Sequence, residues 1–365
     1  MKDKSIQIFE FKDVKRKELH AVIYTDKKDE LFEVQLHDVL KKKKDLENEY
    51  KTEKTVFMRF FISDSSNQIS ILHDCLKDEV SAVSIVEQPP LDGTKVVLWI
   101  WMQENVSVAK LDDNMSVVDG GELPQYFTGS QKDVFGVTTS KAQTNHIFGD
   151  YTKSLNKYDM TLKDNCIRTW FFVQNIDVNY SGIVSARNEF FARQGLTKDT
   201  HFIASTGIQG RCEKYRNLVE MDAYAVKGIR QEQIQYLYAK DYLNPTYEYG
   251  VSFERGVCVH LSDRRYVFIS GTASIDNKGN VMHVGDIDRQ LERACENVEA
   301  LLAEAECGSE DIAQMIVYLR DIADYALVLR RYEEKYPNVP KAIVYAPVCR
   351  PSWLIEMECI AVRKV

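Results

Sequence analysis

The sequence predicts a mixed α+β (α/β) protein assembled from tandem copies of one unit. Two near-identical segments carry this expectation: Leu218-Val-Glu-Met-Asp-Ala-Tyr-Ala-Val226 and Leu354-Ile-Glu-Met-Glu-Cys-Ile-Ala-Val362. Each closes a run that reads helix, strand, helix, strand, strand. Strand and helix periodicities also alternate through the rest of the chain. Each copy sets a glutamate, Glu220 or Glu356, inside an otherwise apolar strand.

The last unit, residues 229–365, has the clearest pattern. Residues 266–270 read as a buried strand ending at Gly271. Asp286 is a candidate helix cap, after which Ile287, Leu291, Ala294, Val298, Leu301 and Ala305 recur at helical spacing up to Gly308. Residues 315–319 are a strand, and Tyr325, Val328, Leu329 and Tyr332 mark a second helix closed by Pro337 and Pro340. Residues 341–346 and 353–362 complete a sheet with two helices on one face. The middle unit, residues 106–228, repeats this order with strands at 166–173, 201–205 and 217–226 and a helix at 184–194. His146-Ile-Phe-Gly-Asp150 echoes His283-Val-Gly-Asp286, and residues 119–144 read as a long loop. The first unit, residues 1–105, is a weaker copy whose last strand, Val96-Val-Leu-Trp-Ile-Trp-Met102, lacks a carboxylate. It reads as scaffold.

Composition narrows the function. With 365 residues, 44% hydrophobic and 11% aromatic, the chain can bury sizeable cores. A net charge of −8 disfavours a nucleic-acid partner. Lysines 41–44 are followed by Asp45, Glu47 and Glu49, as on a solvated helix face. Residues 1–6 lack a signal-peptide core, and no apolar run approaches the ~20 residues that span a bilayer. A cytoplasmic protein with no membrane partner is expected. The eight cysteines show no CxxC spacing, so reduced thiols and no metal are expected. Cys258 and His260 read as a strand alternation. No phosphate-loop pattern follows a strand, and no cofactor is expected.

Several motifs fall in a recognisable order: Val267-Phe-Ile-Ser-Gly-Thr-Ala-Ser274, Gly285-Asp-Ile, Gln290, Glu296-Asn-Val, Val317-Tyr-Leu-Arg-Asp321 and Ile355-Glu-Met-Glu-Cys-Ile-Ala361. They resemble the Rid family (reactive-intermediate deaminase, also endoribonuclease L-PSP). The resemblance implies a unit of six strands and two helices that trimerises with pockets between subunits. Three tandem copies would then form an intrachain pseudo-trimer, monomeric or in a higher homo-oligomer. Ile167-Arg-Thr-Trp170, Ala204-Ser-Thr-Gly-Ile208, Asn244-Pro245, Tyr249-Gly250, Ser252-Phe253, Ser270-Gly-Thr-Ala-Ser274 and Cys349-Arg350 with Glu356 are similar to the chorismatase branch, which hydrolyses the enolpyruvyl ether of chorismate to pyruvate and a hydroxylated benzoate-type product. Rid deaminases carry a Pro-Ala-Arg motif. Here Pro340-Lys-Ala342 puts alanine at the arginine position.

Strand alternation turns Glu356 and Glu358 to one face and Ile355, Met357 and Cys359 to the other. The apolar set suits the helices, so the glutamates line a seam between units. A partly desolvated carboxyl there would hold a proton near neutral pH and serve as general acid. Glu356 is the candidate proton donor; a structural carboxylate paired with arginine is the alternative. The expected substrate is a small carboxylic acid. Arg350, Arg168 and Arg193 are candidates for its carboxylates, because guanidinium binds a planar carboxylate through two hydrogen bonds. Arg168 could instead serve inter-unit packing, and Arg350 a surface or interface salt bridge; Arg193 lies on the Phe190-Phe191 helix. Tyr249, Ser270 and Gly271 are candidates for a polar wall. Glu220 is the less favoured sister carboxylate. Enamine or imine hydrolysis and non-catalytic binding of a small acid are the competing activities.

Overall fold

The computed structural model describes residues 5–13, 16–211 and 214–365. Expectations for residues 1–4 and for Cys212 lie outside the described residues. The first unit contains β1 (Ile6–Lys12), β2 (Lys17–Tyr24), α1 (Phe32–Glu49), β3 (Glu53–Ile62), α2 (Ser65–Cys75), β4 (Ala82–Glu87) and β5 (Val96–Glu104). The middle unit contains β6 (Ser107–Lys110), β7 (Met115–Asp119), β8 (Gln125–Lys132), α3 (Ser140–Asn156), the short α4 (Leu162–Asn165), β9 (Cys166–Val173), α5 (Ile176–Arg193), β10 (Ala204–Gln209) and β11 (Val219–Val226). The last contains β12 (Ile234–Leu237), β13 (Gly256–His260), β14 (Arg264–Ala273), α6 (Ile287–Glu304), β15 (Ile312–Leu319), α7 (Tyr325–Lys335), β16 (Lys341–Tyr345) and β17 (Ile355–Lys364).

The sheet orders are β1-β2-β5-β3-β4, β10-β9-β11-β8-β7-β6 and β12-β13-β14-β17-β15-β16. One pair in each sheet is parallel, β3 with β4, β9 with β10 and β15 with β16, and a helix makes each crossover. The first sheet has five strands where six were expected. Among the described residues it has no counterpart to the edge strands β6 and β12.

Equivalent residues can be read from the register. Ile62 pairs with Val96, Val173 with Val219 and Leu319 with Ile355. Val97, Glu220 and Glu356 are therefore the same position in three copies, and so are Trp99, Asp222 and Glu358. A glutamine in the first turn of each leading helix braces the strand below it. Gln35, Gln143 and Gln290 accept the backbone N–H of Lys95, Leu218 and Leu354, each one residue before the equivalent strand position.

Each sheet packs an apolar face on its helices. Met58 and Phe60 meet Leu36 and Val39; Phe171 and Met221 join Phe148 and Phe191; Met357 and Cys359 join Val298 and Tyr332. The opposite faces turn toward one another. Trp101 of the first unit lies 5.3 Å from Phe127 of the middle one and 5.5 Å from Tyr266 of the last. Such ring pairs contribute about 0.5–1.5 kcal/mol beyond their burial. Beside the rings sits a buried charged layer. Arg59 Nη2 lies 2.7 Å from Asp222, Arg168 Nη2 lies 2.6 Å from Glu358, and Arg59 Nη1 is 3.6 Å from Glu358. Three sheets sharing one interior in a single chain form a pseudo-trimer.

Several local expectations need correction. Residues 119–144 are not a loop: β8 and the start of α3 lie within them. Gly129 and Ser130 oppose Asp222 in a bulge, so part of the Gly, Ser and Thr content that suggested a loop belongs to a bulged strand and a helix start, while Gly120, Gly121 and Gly136 lie in the connections between elements. The His146–Asp150 echo is also misleading. That segment is mid-helix, whereas Asp286 caps α6; the true counterpart of Asp286 is the α3 cap Thr139. Only Lys41 and Lys44 of the lysine run are exposed. Lys42 and Lys43 are buried against Asp26 and Asp38, and against Glu47 and Glu79.

Among the described residues no helix is long and apolar enough to cross a membrane.

Candidate functional site

A cleft lies at the seam between the middle and last units, about 530 Å³ when the open solvent at its mouth is counted. The last unit contributes Glu356 from β17 and Gly271 from β14, with Tyr249, Arg255 and Arg350 from its loops. The middle unit contributes Tyr180 and Arg187 from α5 and Ser205 and Gly207 from β10.

Glu356 owes its position to strand alternation. Ile355 and Met357 pack toward the helices, so Glu356 faces the seam. It is 5% exposed. Burial, reinforced by the charge of Glu358, raises its pKa from 4.5 to about 8, against the opposing pull of Arg168 and Arg255. The carboxyl thus holds its proton at neutral pH. Over this interval the folded chain binds the proton more tightly than the unfolded chain. The resulting stabilisation is fully present below about pH 4.5 and is lost as pH rises through about 8. The denaturant midpoint of the wild type should therefore fall across this window, relative to that of Glu356→Gln.

A bulge shapes the opposite wall. Ile269 pairs with Cys359 and Thr272 with Met357, so Ser270 and Gly271 together oppose Glu358. Ser270 Oγ turns inward, accepting from Arg168 and from Ser205 N–H and donating to the Glu254 carbonyl. Gly271 N–H donates to Thr206 Oγ1. A Cβ on Gly271 would overlap the Glu356 carboxyl. Gly271→Ala should therefore displace the Glu356 carboxyl and change the pH dependence of stability that it sets; an unchanged pH profile would contradict this placement.

Cationic groups ring the cleft. The Arg350 guanidinium lies over the Tyr249 ring at 5.1 Å and the Trp353 ring at 4.9 Å. Arg255 is held by the Asn244 carbonyl and amide oxygens and also covers Tyr249. Arg187 is 1% exposed, stands 5.6 Å from the Phe253 ring, and keeps Nε and Nη2 buried without hydrogen-bond partners. Its partnerless N–H groups leave this guanidinium with hydrogen-bonding capacity that an anion could use. Cys349 also lines the wall, its thiol pushed up to about 12 by burial, and so it is not a thiolate nucleophile at neutral pH.

Of the residues singled out from sequence, Glu356, Arg350, Tyr249 and Gly271 come together here. Ser270 and Arg168 lie behind the wall. Arg168 binds Glu358, Ser270 and Thr206, in the inter-unit packing that was its alternative reading. Arg193 is exposed near Asn145 and the Phe190 ring, away from the cleft. At 100° per residue, six positions put it well round the helix from Arg187. Sequence reasoning missed Arg187, Arg255 and Tyr180. Tyr180 and Arg187, seven apart, share a helix stripe that becomes visible once α5 is started at Ile176 rather than at residue 184.

Glu220 occupies the sister position. It borders a larger cleft between the first and middle units, about 1300 Å³ when its open solvent is counted, beside Lys110, Asp112, Asp113 and Lys132. Among the described residues, no arginine lines that cavity. Glu220→Gln should change turnover less than threefold; losses equal to those of Glu356→Gln would argue for two working seams. Among the described residues no cluster of three or more His, Cys, Asp or Glu side chains could hold a metal.

Comparison with known proteins places this geometry. Residues 253–363 match the family described as Endoribonuclease L-PSP. A RutC family protein of Pyrococcus abyssi is 35% identical over 101 residues, 27% of this chain and 80% of the relative. The 3-aminoacrylate deaminase RutC of Acinetobacter baylyi is 31% identical over 97 residues, 26% and 77% of the two chains. A crystal structure of chorismatase superposes with a TM-score of 0.63 at 17% identity, covering 84% of this chain and 92% of that one. The chain belongs to the Endoribonuclease L-PSP (Rid) family, and its three-unit fold is that of chorismatase.

Proposed function

We propose that the seam cleft hydrolyses the enolpyruvyl ether of chorismate or a closely related small dicarboxylic acid. One observation carries the reading: a carboxyl poised to hold its proton up to about pH 8 shares a cleft with three arginines. Two carboxylates on the substrate would be received by Arg350, Arg187 and Arg255, and Tyr249 would flank the ring.

In this scheme Glu356 delivers its proton to the methylene carbon of the enol ether. The ether carbon becomes an oxocarbenium centre, stabilised by the adjacent oxygen. Glu356, now a carboxylate, takes a proton from the attacking water. The hemiketal so formed collapses to pyruvate and the ring alcohol, with no net redox change. Because the proton donor must be protonated, turnover should hold on the acid side and fall as pH rises through about 8.

The kinship with a deaminase favours enamine or imine hydrolysis as the second reading. Two positions weigh against it. Ala342 stands where the family motif has arginine. The register makes Thr206 its counterpart in the working seam: Ala342 pairs with Ile316 opposite Glu358, and Thr206 with Trp170 opposite Asp222. Incubation with chorismate and with 2-aminoacrylate generated in situ separates the two, since the first reading requires pyruvate from chorismate alone. Turnover of aminoacrylate only would favour the deaminase. If neither is turned over, a rise in melting temperature with a benzoate-like acid would favour a binding protein.

A further inference from the structure

A second, shallow cavity, about 450 Å³ when its open solvent is counted, lies across segment 244–255 from the Glu356 cleft. Phe253 and Arg255 line both cavities, so one wall is shared. The rest of the second cavity mixes aromatic and apolar side chains, Phe202, Tyr238, Leu243 and Tyr247, with polar ones that include Thr200, Asn244 and Glu254, and Lys198 and Lys240 are exposed at its rim.

His201 gives this cavity its chemistry. The side chain is 8% exposed and its ring stacks on Tyr236 at a centroid distance of 4.8 Å. Nδ1 lies 3.0 Å from the Phe202 carbonyl, which only accepts, so Nδ1 carries the proton and Nε2 presents a lone pair. Burial lowers the ring's pKa and keeps it neutral. Nε2 is buried and has no hydrogen-bond partner. A buried acceptor left unpaired calls for a donor from a ligand. Glu254, whose Oε1 accepts the Phe202 N–H at 2.7 Å, makes no hydrogen bond to Nε2. Lys240 Nζ sits 5.6 Å above the Tyr238 ring, placing a cation beside an aromatic wall.

We infer that this cavity is a second binding site, for a small aromatic carboxylic acid that carries a hydroxyl group. The hydroxyl donates to His201 Nε2, the ring lies against the tyrosines, and the carboxylate meets Lys198 and Lys240 at the rim. The site is separate from the Glu356 cleft and does not depend on turnover there.

Calorimetric titration of the full chain with 3-hydroxybenzoate tests this, in an Arg350→Ala background that weakens the cleft. Saturable binding of one equivalent is expected. Adding His201→Phe keeps the ring on Tyr236 but removes the acceptor, and should weaken binding at least tenfold. Adding the exposed change Lys198→Glu, which leaves the interior untouched, should weaken it as well. Benzoate, lacking the hydroxyl, should bind both histidine forms alike. No saturable binding in the Arg350→Ala chain, or equal affinity with and without His201, would overturn the inference. Neither result bears on whether the cleft hydrolyses chorismate, which the pyruvate assay reads independently.

Discussion

Glu356→Gln is expected to lower turnover by roughly 10²–10⁴-fold, the range for loss of a positioned general acid. The substitution keeps the side-chain shape and removes the transferable proton. The site is 5% exposed, and the native carboxyl is protonated at neutral pH, so a neutral amide suits the same surroundings. The melting temperature should stay within a few degrees of the wild type, and KM should change little, because the arginines that would receive the substrate carboxylates remain. The residual rate should also lose its alkaline limb. A variant that keeps more than a tenth of the wild-type rate would remove Glu356 from the chemistry.

Glu358→Gln should act in the opposite way, on stability first. Glu358 accepts from Arg168, Trp170 Nε1 and Thr206 and stands 3.6 Å from Arg59 Nη1. Removing its charge leaves two buried arginines facing Asp222 alone. Breaking a buried ion pair by deleting one partner costs about 3–5 kcal/mol, because the remaining charge is desolvated without compensation. The denaturant midpoint reads this directly. A second effect is specific to the site. The Glu358 charge helps hold the Glu356 proton, so the alkaline limb of any residual activity should move to lower pH. A variant of wild-type stability would mean that the charged layer between the units is dispensable.

Much of this arrangement is legible in sequence because strands impose a two-residue period. That period predicted the common direction of Glu356 and Glu358, and the duplicated segment revealed the repeat. The parts that stayed hidden depend on contacts between distant residues. Arg168 and Glu358 are far apart in the chain, and only the packing of sheets decides that this arginine serves the interior instead of the cleft. Arg187 was obscured by a helix start placed too late, which hid the Tyr180–Arg187 stripe. The first unit kept the glutamine brace but replaced both carboxylates with Val97 and Trp99. Its missing carboxylate was readable; its provision of Arg59 to the charged layer was not.

The most direct test of the central claim is pyruvate release when the purified full-length chain is incubated with chorismate. Enzyme-dependent pyruvate that falls away above about pH 8 is the predicted result. No pyruvate at any pH, from a folded chain whose cleft still binds a benzoate-like acid, would contradict the assignment of enol-ether hydrolysis to this seam.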